Sequence, residues 1–322
     1  MAHGRLIASA TAMCFAVSAL AQNYPVHPIR LVVAYPPGGP NDILARTLSP
    51  TLTEILGQQV IVENRPGADG NIGLAAVAKA APDGYTLLLG DMPISVSPAL
   101  HASLPFNVRK DLTPIGMIAS APLLLVVNPV LPAKGVSELI ALARSQPGQL
   151  SFGSPSKGTP PDLASELFRE ANDLNVLSVP YKGAGAALTD LIGSRISFMF
   201  MGLSASRPFI DSGKLRALAI TGTRRAAALP DVPTLAEAGS PLPEMDFGSW
   251  WGLLGPRGLP EDIVRRLNDA LARTLALPGL RERLAALNFA PVTGSPEDFS
   301  GFIGAETAKW ARVVSRLGIT SD

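Results

Sequence analysis

The sequence predicts an α/β protein of two domains, and three observations carry that prediction. Strand-type and helix-type stretches alternate along almost the whole chain. Several strands run into turns poor in side chains that open a helix at once, the layout of sheets covered by helices. The roughly 300 residues that follow an N-terminal apolar segment exceed what one core usually holds. The 30 glycines and 30 prolines among 322 residues have no period, so they mark many short, sharp connections and not low complexity.

Ile29–Tyr35 is an apolar, β-prone run that ends in Pro36-Pro37-Gly38-Gly39-Pro40. A helix follows over Asp42–Leu56, with Ile43, Leu44, Leu48, Leu52, Ile55 and Leu56 at helical spacing. Val60–Glu63 is a second strand, closing in the turn Glu63-Asn64-Arg65-Pro66-Gly67, whose charges tie the loop down. A helix over Ile72–Ala81 and strands at Tyr85–Gly90 and Leu123–Asn128 come next. The pattern continues with helix Val136–Ser145, strand Leu150–Gly153, helix Pro161–Ala171, strand Val176–Pro180 and helix Ala186–Ile192. Strands Ile196–Met201, Leu215–Thr221 and Trp250–Leu254 precede helices Glu261–Leu277, Leu280–Leu287 and Pro296–Leu317. Such alternation predicts mostly parallel sheets with helices on both faces. No internal repeat is evident.

Two stretches read as crossings between domains. One is Ile115–Asn128, interrupted at Ala121-Pro122; the other is the Pro-rich passage Leu229–Phe247. Two crossings make the first domain discontinuous, 22–121 with 246–322, around an inserted second domain, 122–245.

Residues 1–21 read as an export signal: Arg5, the apolar stretch Leu6–Leu20, and Ala19-Leu20-Ala21 as a cleavage site, placing the mature chain in a periplasm. A bilayer span needs roughly 20 apolar residues, more than this run supplies. Thr11-Ala12-Met13 before Cys14 is a poor lipobox. Removing this segment removes Cys14, the one cysteine, and Arg5, leaving 26 basic and 26 acidic residues. A thiol-free, formally neutral chain excludes cysteine catalysis and gives no footprint for nucleic acid or a membrane surface.

Three loops carry the functional reading. The first is Pro36–Pro40, with unpaired N–H groups at the start of the following helix that make an anion site without Lys or Arg. The second is Gly153-Ser154-Pro155-Ser156-Lys157-Gly158-Thr159, where Thr159-Pro160-Pro161-Asp162 resembles a capping box with Thr159 as N-cap. The third is Tyr181-Lys182-Gly183-Ala184-Gly185-Ala186-Ala187, whose small residues let a ligand approach the backbone. Singly each reads equally well as an ordinary helix start; together they outline a cleft lined by helix N-termini.

Catalytic readings are poor. His27 and His101 have no partner motif, which argues against triads and histidine metal sites. Ser154-Pro155-Ser156-Lys157 matches S-x-x-K, yet the companion SDN and KTG sequences are absent, and no Gly-Lys-Ser/Thr ends the loop as in a nucleotide-binding P-loop. The Asp and Glu residues suggest no acid–base pair by spacing. Trp250 and Trp251 start a returning strand, with one ring expected in the core and the other toward the hinge, and Trp310 reads as an anchor for the last helix.

The stretches PIRLVVAYPPGGPNDILAR, VIVENRPGADGNIGLAAVAKAAPDGYTLLLGD, LPFNVRKDLTPIG, VPYKGAGAALTDLIG, GKLRALAITGTRR and LPDVPTLAEAG together resemble the Bordetella uptake gene family. These are periplasmic solute receptors of tripartite tricarboxylate transporters. The resemblance implies a type II periplasmic binding protein fold: two Rossmann-like α/β domains joined by a two-segment hinge, with a ligand cleft between them. It implies a small organic carboxylate as ligand, a membrane permease as partner, a monomeric receptor, no cofactor, no metal and no enzymatic activity. A ligand-sensing adaptor for a signalling partner is the alternative use of the same fold. Carried onto this sequence, the ligand site takes Tyr35, Pro37, Gly38, Gly39, Asn41 and Asp42 from the first domain, with Met92 after the third strand. From the second domain it takes Ser154, Ser156, Thr159, Lys182, Gly183 and Met201.

Three departures shape the expected ligand. Pro161-Asp162 stands where relatives often carry His, Ser197 and Met201 where they commonly place Asp, and Ser97–His101 where Asn-Pro-x-Leu-Tyr is usual. Fewer acids on the second-domain wall suit a plain organic or aromatic carboxylate better than an amino-acid ammonium group.

Overall fold

The computed structural model describes residues 24–320 apart from 102, 105 and 106. Residues 1–21, read above as an export signal, and Cys14 with them, lie outside the described residues. Two mixed sheets organise the rest. The first has strand order β11-β4-β10-β3-β1-β2, formed by Ile29–Val33 (β1), Val60–Asn64 (β2), Thr86–Asp91 (β3), Leu112–Ala121 (β4), Ser249–Pro256 (β10) and Ala290–Pro291 (β11). The second has order β7-β6-β8-β5-β9, formed by Leu123–Val127 (β5), Ser151–Ser154 (β6), Leu177–Pro180 (β7), Phe198–Gly202 (β8) and Arg216–Ile220 (β9).

The helices are Pro40–Leu56 (α1), Asn71–Ala78 (α2), Pro93–Leu100 (α3), Val108–Asp111 (α4), Val136–Ser145 (α5), Pro160–Ala171 (α6), Ala184–Ile192 (α7), Leu203–Asp211 (α8), Glu261–Ala276 (α9), Pro278–Ala286 (α10) and Pro296–Leu317 (α11). Three of these, α3, α4 and α8, have no counterpart in the sequence reading. Pro98 lies inside α3 and Pro208 inside α8, and a proline in a short polar stretch hides helical periodicity. Two strands have no counterpart either: the short β11, and β4, most of which lies in the stretch Ile115–Asn128 read as a crossing.

The expectation of mostly parallel sheets is corrected. β2, β1 and β3 pair in parallel, as do β7, β6 and β8. β10 is antiparallel to both β3 and β4, β11 is antiparallel to β4, and β5 is antiparallel to β8 and β9. The cause is the crossings. β5 and β10 each enter a sheet directly after a crossing and run away from it, whereas β1, β3 and β6 run toward it. Apolar pattern reports burial and carries no strand direction.

The first crossing is shorter than its apolar run suggested. β4 ends at Ala121, Pro122 stands alone, and β5 begins at Leu123. The second, residues 221–248, is anchored to it: Leu123 N donates to Thr221 Oγ1 and Thr221 N donates to Leu123 O, both at 2.8 Å. Gly248 has φ +62°, and a Cβ there would lie 2.3 Å from the Ala121 carbonyl oxygen, so only glycine fits.

Strand alternation sorts the core. In β5, Leu123, Leu125 and Val127 join an apolar cluster that also holds Val32, Leu88, Leu100, Phe152, Phe168, Phe299 and Trp310; it is continuous through α3, α6 and α11 across both sheets. Leu124 and Val126 face the opposite side, with Leu191, Met199 and Met201. Trp250 and Trp251 divide between the two faces of the first sheet, and both rings are buried, so neither reaches the hinge as exposed surface. Trp310 is fully buried, with Nε1 donating to Glu306 Oε2 at 2.9 Å. Arg316, on the same helix, bonds Glu170 of α6 and Glu244 of the second crossing, each at 2.9 Å.

Candidate functional site

The first loop leaves β1 at Val33 and opens α1. Gly38 has φ +87°, Gly39 is the extended N-cap, and Pro40 stands in the first turn. Gly38 N donates to Asp42 Oδ2 at 3.0 Å, closing the loop on its own helix. Asp42 also accepts from Arg46 Nε at 3.0 Å and from Asn64 Nδ2 at 3.0 Å, while Asn64 Nδ2 donates to Tyr35 O at 3.1 Å. The Arg46 guanidinium, ahead of the other contacts, holds the Asp42 carboxyl below its usual range against the opposing effect of burial. Asp42 is therefore committed to loop geometry. The first-turn N–H groups of Asn41 and Asp42 are the donors that such a start leaves over.

Asn41 and Tyr35 point to a residue that sequence reasoning passed over, Asp91 at the end of β3. Asn41 Nδ2 donates to Asp91 Oδ2 at 2.9 Å, Tyr35 Oη donates to Asp91 Oδ1 at 3.3 Å, and Trp251 Nε1 donates to Asn41 Oδ1 at 3.0 Å. Burial pushes the Asp91 carboxyl up to about 6, against the lowering effect of those two donors. The one available signal was an acid closing the strand Leu87-Leu88-Leu89-Gly90-Asp91 at its C-terminal end, where α/β sheets place ligands.

The second loop repeats the first. Gly158 has φ +73°, Thr159 is the extended N-cap, Pro160 opens α6, and Gly158 N donates to Asp162 Oδ2 at 2.9 Å. Gly38-Gly39-Pro40-Asn41-Asp42 and Gly158-Thr159-Pro160-Pro161-Asp162 thus share a Gly-x-Pro-x-Asp pattern with one backbone geometry, an internal repeat the sequence reading missed. The expected capping box is corrected. Thr159 Oγ1 donates to Ser156 O at 2.7 Å, and Asp162 reaches past the N-cap to Gly158 N and the Ser154 hydroxyl. Ser154 is buried on Asp162, not on Lys157, which removes the Ser–Lys geometry of S-x-x-K enzymes. Ser156 Oγ donates to Pro155 O. Burial raises the Asp162 carboxyl above its usual range.

The third loop is tied to the second: Tyr181 N donates to Ser154 O at 2.8 Å, and Gly183 N to Pro155 O at 2.7 Å. Gly183 has φ +98° and is the N-cap of α7, so the N–H groups of Ala184, Gly185 and Ala186 stand at an exposed helix start. Lys182 is exposed beside them. Pro37 and Gly38 are exposed and Gly39 half-buried. Met92 and Met201 are buried in apolar clusters on different sheets, and Met92 N donates to Trp250 O at 3.1 Å. The structure thus gathers the first-loop residues around Asp91, and Ser154, Ser156, Thr159 and Gly183 around one pair of laced loops. The two groups sit on different sheets at the strand ends that face the crossings.

Other chemistry is sparse. No group of three or more His, Cys, Asp or Glu able to hold a metal occurs among the described residues, and no helix there is long and apolar enough to cross a membrane. A depression of about 370 Å³ lined by Leu167, Glu170, Leu242, Glu244 and Arg316 lies at the far end of α6. It is about 15 Å along the helix from its N-terminus, away from the three loops.

Comparison with known proteins decides what this arrangement belongs to. A family model described as "Tripartite tricarboxylate transporter family receptor" matches residues 44–319. Protein BugT of Bordetella pertussis is 39% identical over 300 residues, covering 92% of this chain and 91% of BugT. The chain belongs to this receptor family. Among solved structures, R. palustris Rpa4515 with adipate aligns at a TM-score of 0.84 with 35% identity, covering 92% of this chain and 99% of that one. MatC from Rhodopseudomonas palustris with bound malate aligns at 0.78 with 32% identity, covering 90% and 100%. The two sheets are accordingly the two lobes of a periplasmic binding protein fold. Members of the tripartite tricarboxylate transporter receptor family are solute-binding receptors.

Proposed function

We propose that this receptor captures a small organic carboxylate between its lobes in the periplasm and delivers it to a tripartite tricarboxylate transporter permease. The observation that carries this reading is a pair of Gly-opened helix starts, α1 after Gly38-Gly39 in one lobe and α7 after Gly183 in the other, that present backbone donors where the two sheets end. Helix N-termini favour anions by their unpaired N–H groups and dipole. Solved relatives holding adipate and malate support the same ligand class. Residues 22–121 and 246–322 form the first lobe and 122–245 the second, after removal of the export segment at Ala21. The ligand contacts are the first loop (Tyr35, Pro37, Gly38, Gly39, Asn41, Asp42), the second loop (Ser154, Ser156, Thr159) and Lys182 with Gly183, chiefly through backbone groups because the side chains of Asn41, Asp42, Ser154, Ser156 and Thr159 are already paired, with Met92 and Met201 as apolar backing. A ligand bridging both lobes favours the closed arrangement by its extra affinity for that state. The receptor acts as a monomer and transforms nothing.

A thermal-shift screen of mono-, di- and tricarboxylates, aromatic acids and neutral sugars tests this. A ligand at a hundred times its Kd adds about 2.7 kcal/mol to stability, enough for a clear rise in Tm. A rise for sugars with none for acids overturns the assignment. Unchanged small-angle scattering on addition of a confirmed ligand overturns closure.

A further inference from the structure

Asp91 stands against the loop to which the proposed function assigns an anion, and it is itself an acid. Only 8% of its surface is exposed, and both of its hydrogen bonds come from site residues, Asn41 and Tyr35. Asn41 cannot turn away, because Trp251 Nε1 fixes its Oδ1. The surrounding elements bring no neutralising cation. β10, paired with β3 through Trp251 and Asp91, carries no ionisable residue, and neither does α2. α3 carries none before His101 at its far end. α1 brings Asp42 and Arg46, bound to each other; β2 and its turn bring Glu63 and Arg65, bound to each other at 2.6 Å. β1 brings Arg30 at its other end, bound to Thr86 at 2.8 Å and paired with Glu63 at 3.9 Å, and leads on to Tyr35 itself.

Two anionic groups in one desolvated region oppose each other strongly, and the usual resolution is a shared proton. We propose that Asp91 makes ligand capture proton-linked: its acid form, passing its proton toward the Tyr35 hydroxyl, is the form that accepts a ligand carboxylate at the first-lobe loop. One proton moves from solvent to Asp91 on binding. Asp91 Oδ1–H then donates to Tyr35 Oη, and Tyr35 Oη–H is released to donate to the ligand. Asp91 is a positioning residue, acting through Tyr35, and this inference rests on the carboxylate reading above.

The probe is whichever of adipate, malate and benzoate binds most tightly at pH 6, all three being fully ionised above about pH 6.5. From there to about pH 8 the wild-type Kd rises roughly tenfold per pH unit, and calorimetry in two buffers of different ionisation enthalpy gives uptake of about one proton per ligand. Asp91→Asn levels that profile. Independently of the variant, the carboxyl carbon of Asp91 in the ligand-free protein titrates with a midpoint near 6, and ligand raises the midpoint. A level wild-type profile, no proton uptake, a midpoint near the ordinary carboxylate value, or an Asp91→Asn profile as steep as wild type overturns the inference while leaving the receptor reading standing. If none of the three acids binds at pH 6 or pH 8, the carboxylate reading falls and takes this one with it.

Discussion

The loops at 38–42 and 158–162 share a backbone and differ in what stabilises it. In the first lobe the acid at the third helical position faces a guanidinium, Arg46, with an amide, Asn64, beside it. In the second lobe the acid has a hydroxyl and a backbone N–H, Ser154 and Gly158, and no ion pair among the described residues. The first-lobe helix keeps N–H groups on Asn41 and Asp42. The second-lobe helix begins Pro160-Pro161 and gives up two donors. The same loop geometry thus yields a donor-rich anion seat in one lobe and a packed, donor-poor wall in the other. Donors for a ligand's second end fall to α7, through Ala184, Gly185 and Ala186. Equivalent folds of the chain do not imply equivalent contacts.

The largest expected effect separates the two glycines. A Cβ at Gly158 would lie 2.0 Å from Leu100 Cδ1 of α3, across from its own lobe, whereas a Cβ at Gly38 meets nothing within 4 Å. Both have left-handed φ, so Gly38→Ala costs about 1–2 kcal/mol of strain, and Gly158→Ala adds overlap for about 3 kcal/mol or more. Urea unfolding of both variants measures the gap; equal losses would break the comparison.

Next come the two acids. Removing Asp162 with Asp162→Ala orphans two buried donors and costs about 2–3 kcal/mol. Their pH dependence has opposite sign. The Asp42 carboxyl is lowered, so its stabilisation is present above the ordinary carboxylate range and is lost as pH falls through its own, lower value. The Asp162 carboxyl is raised, so the folded state holds its proton to higher pH than the unfolded chain. Stability therefore declines as pH rises from the ordinary value to the raised one. Asp42→Asn is accordingly most damaging near pH 7 and nearly silent in strong acid. Asp162→Asn compares best with wild type near pH 7. Denaturation curves from about pH 3 to 7 distinguish the two, and parallel curves would refute the contrast.

A smaller effect tests where the second lobe keeps its donors. Lys182→Ala, at the exposed start of α7, weakens anion capture about three- to tenfold at low salt and less at high salt. Pro161→Ala, which restores an N–H to α6, changes the Kd by less than about twofold. A large gain from Pro161→Ala would return the anion seat to the second loop.

Much of this was legible in the residues. Apolar runs and turn chemistry located nine strands and eight helices to within a few positions, because burial and helical spacing leave direct marks on sequence. The three loops were visible through Gly and Pro. Side-chain partners were not visible. Ser154 and Thr159, which looked free for a ligand, are spent on Asp162 and Ser156, and Asn41 is spent on Asp91 and Trp251, residues 50 and 210 positions away. Pairing at that range depends on sheet order, which no local pattern carries. The Gly-x-Pro-x-Asp repeat escaped because only three of its five positions are shared and the intervening chain is unlike. The proline-bearing helices α3 and α8 escaped because their stabilisation comes from packing, through Val96, Leu100 and Leu203, and not from propensity.

Pro122 and Gly248 draw the two chain crossings together into one slim waist, beside the α3, α6 and α11 packing that also spans the sheets. A ring-locked residue joins the sheets on one side, and on the other a bare α-carbon slides under the carbonyl of Ala121. The two strands of the waist touch, so they behave as a single axle and not as a pair of separate straps. Bulk added at position 248 would press on that carbonyl and wedge the axle from within.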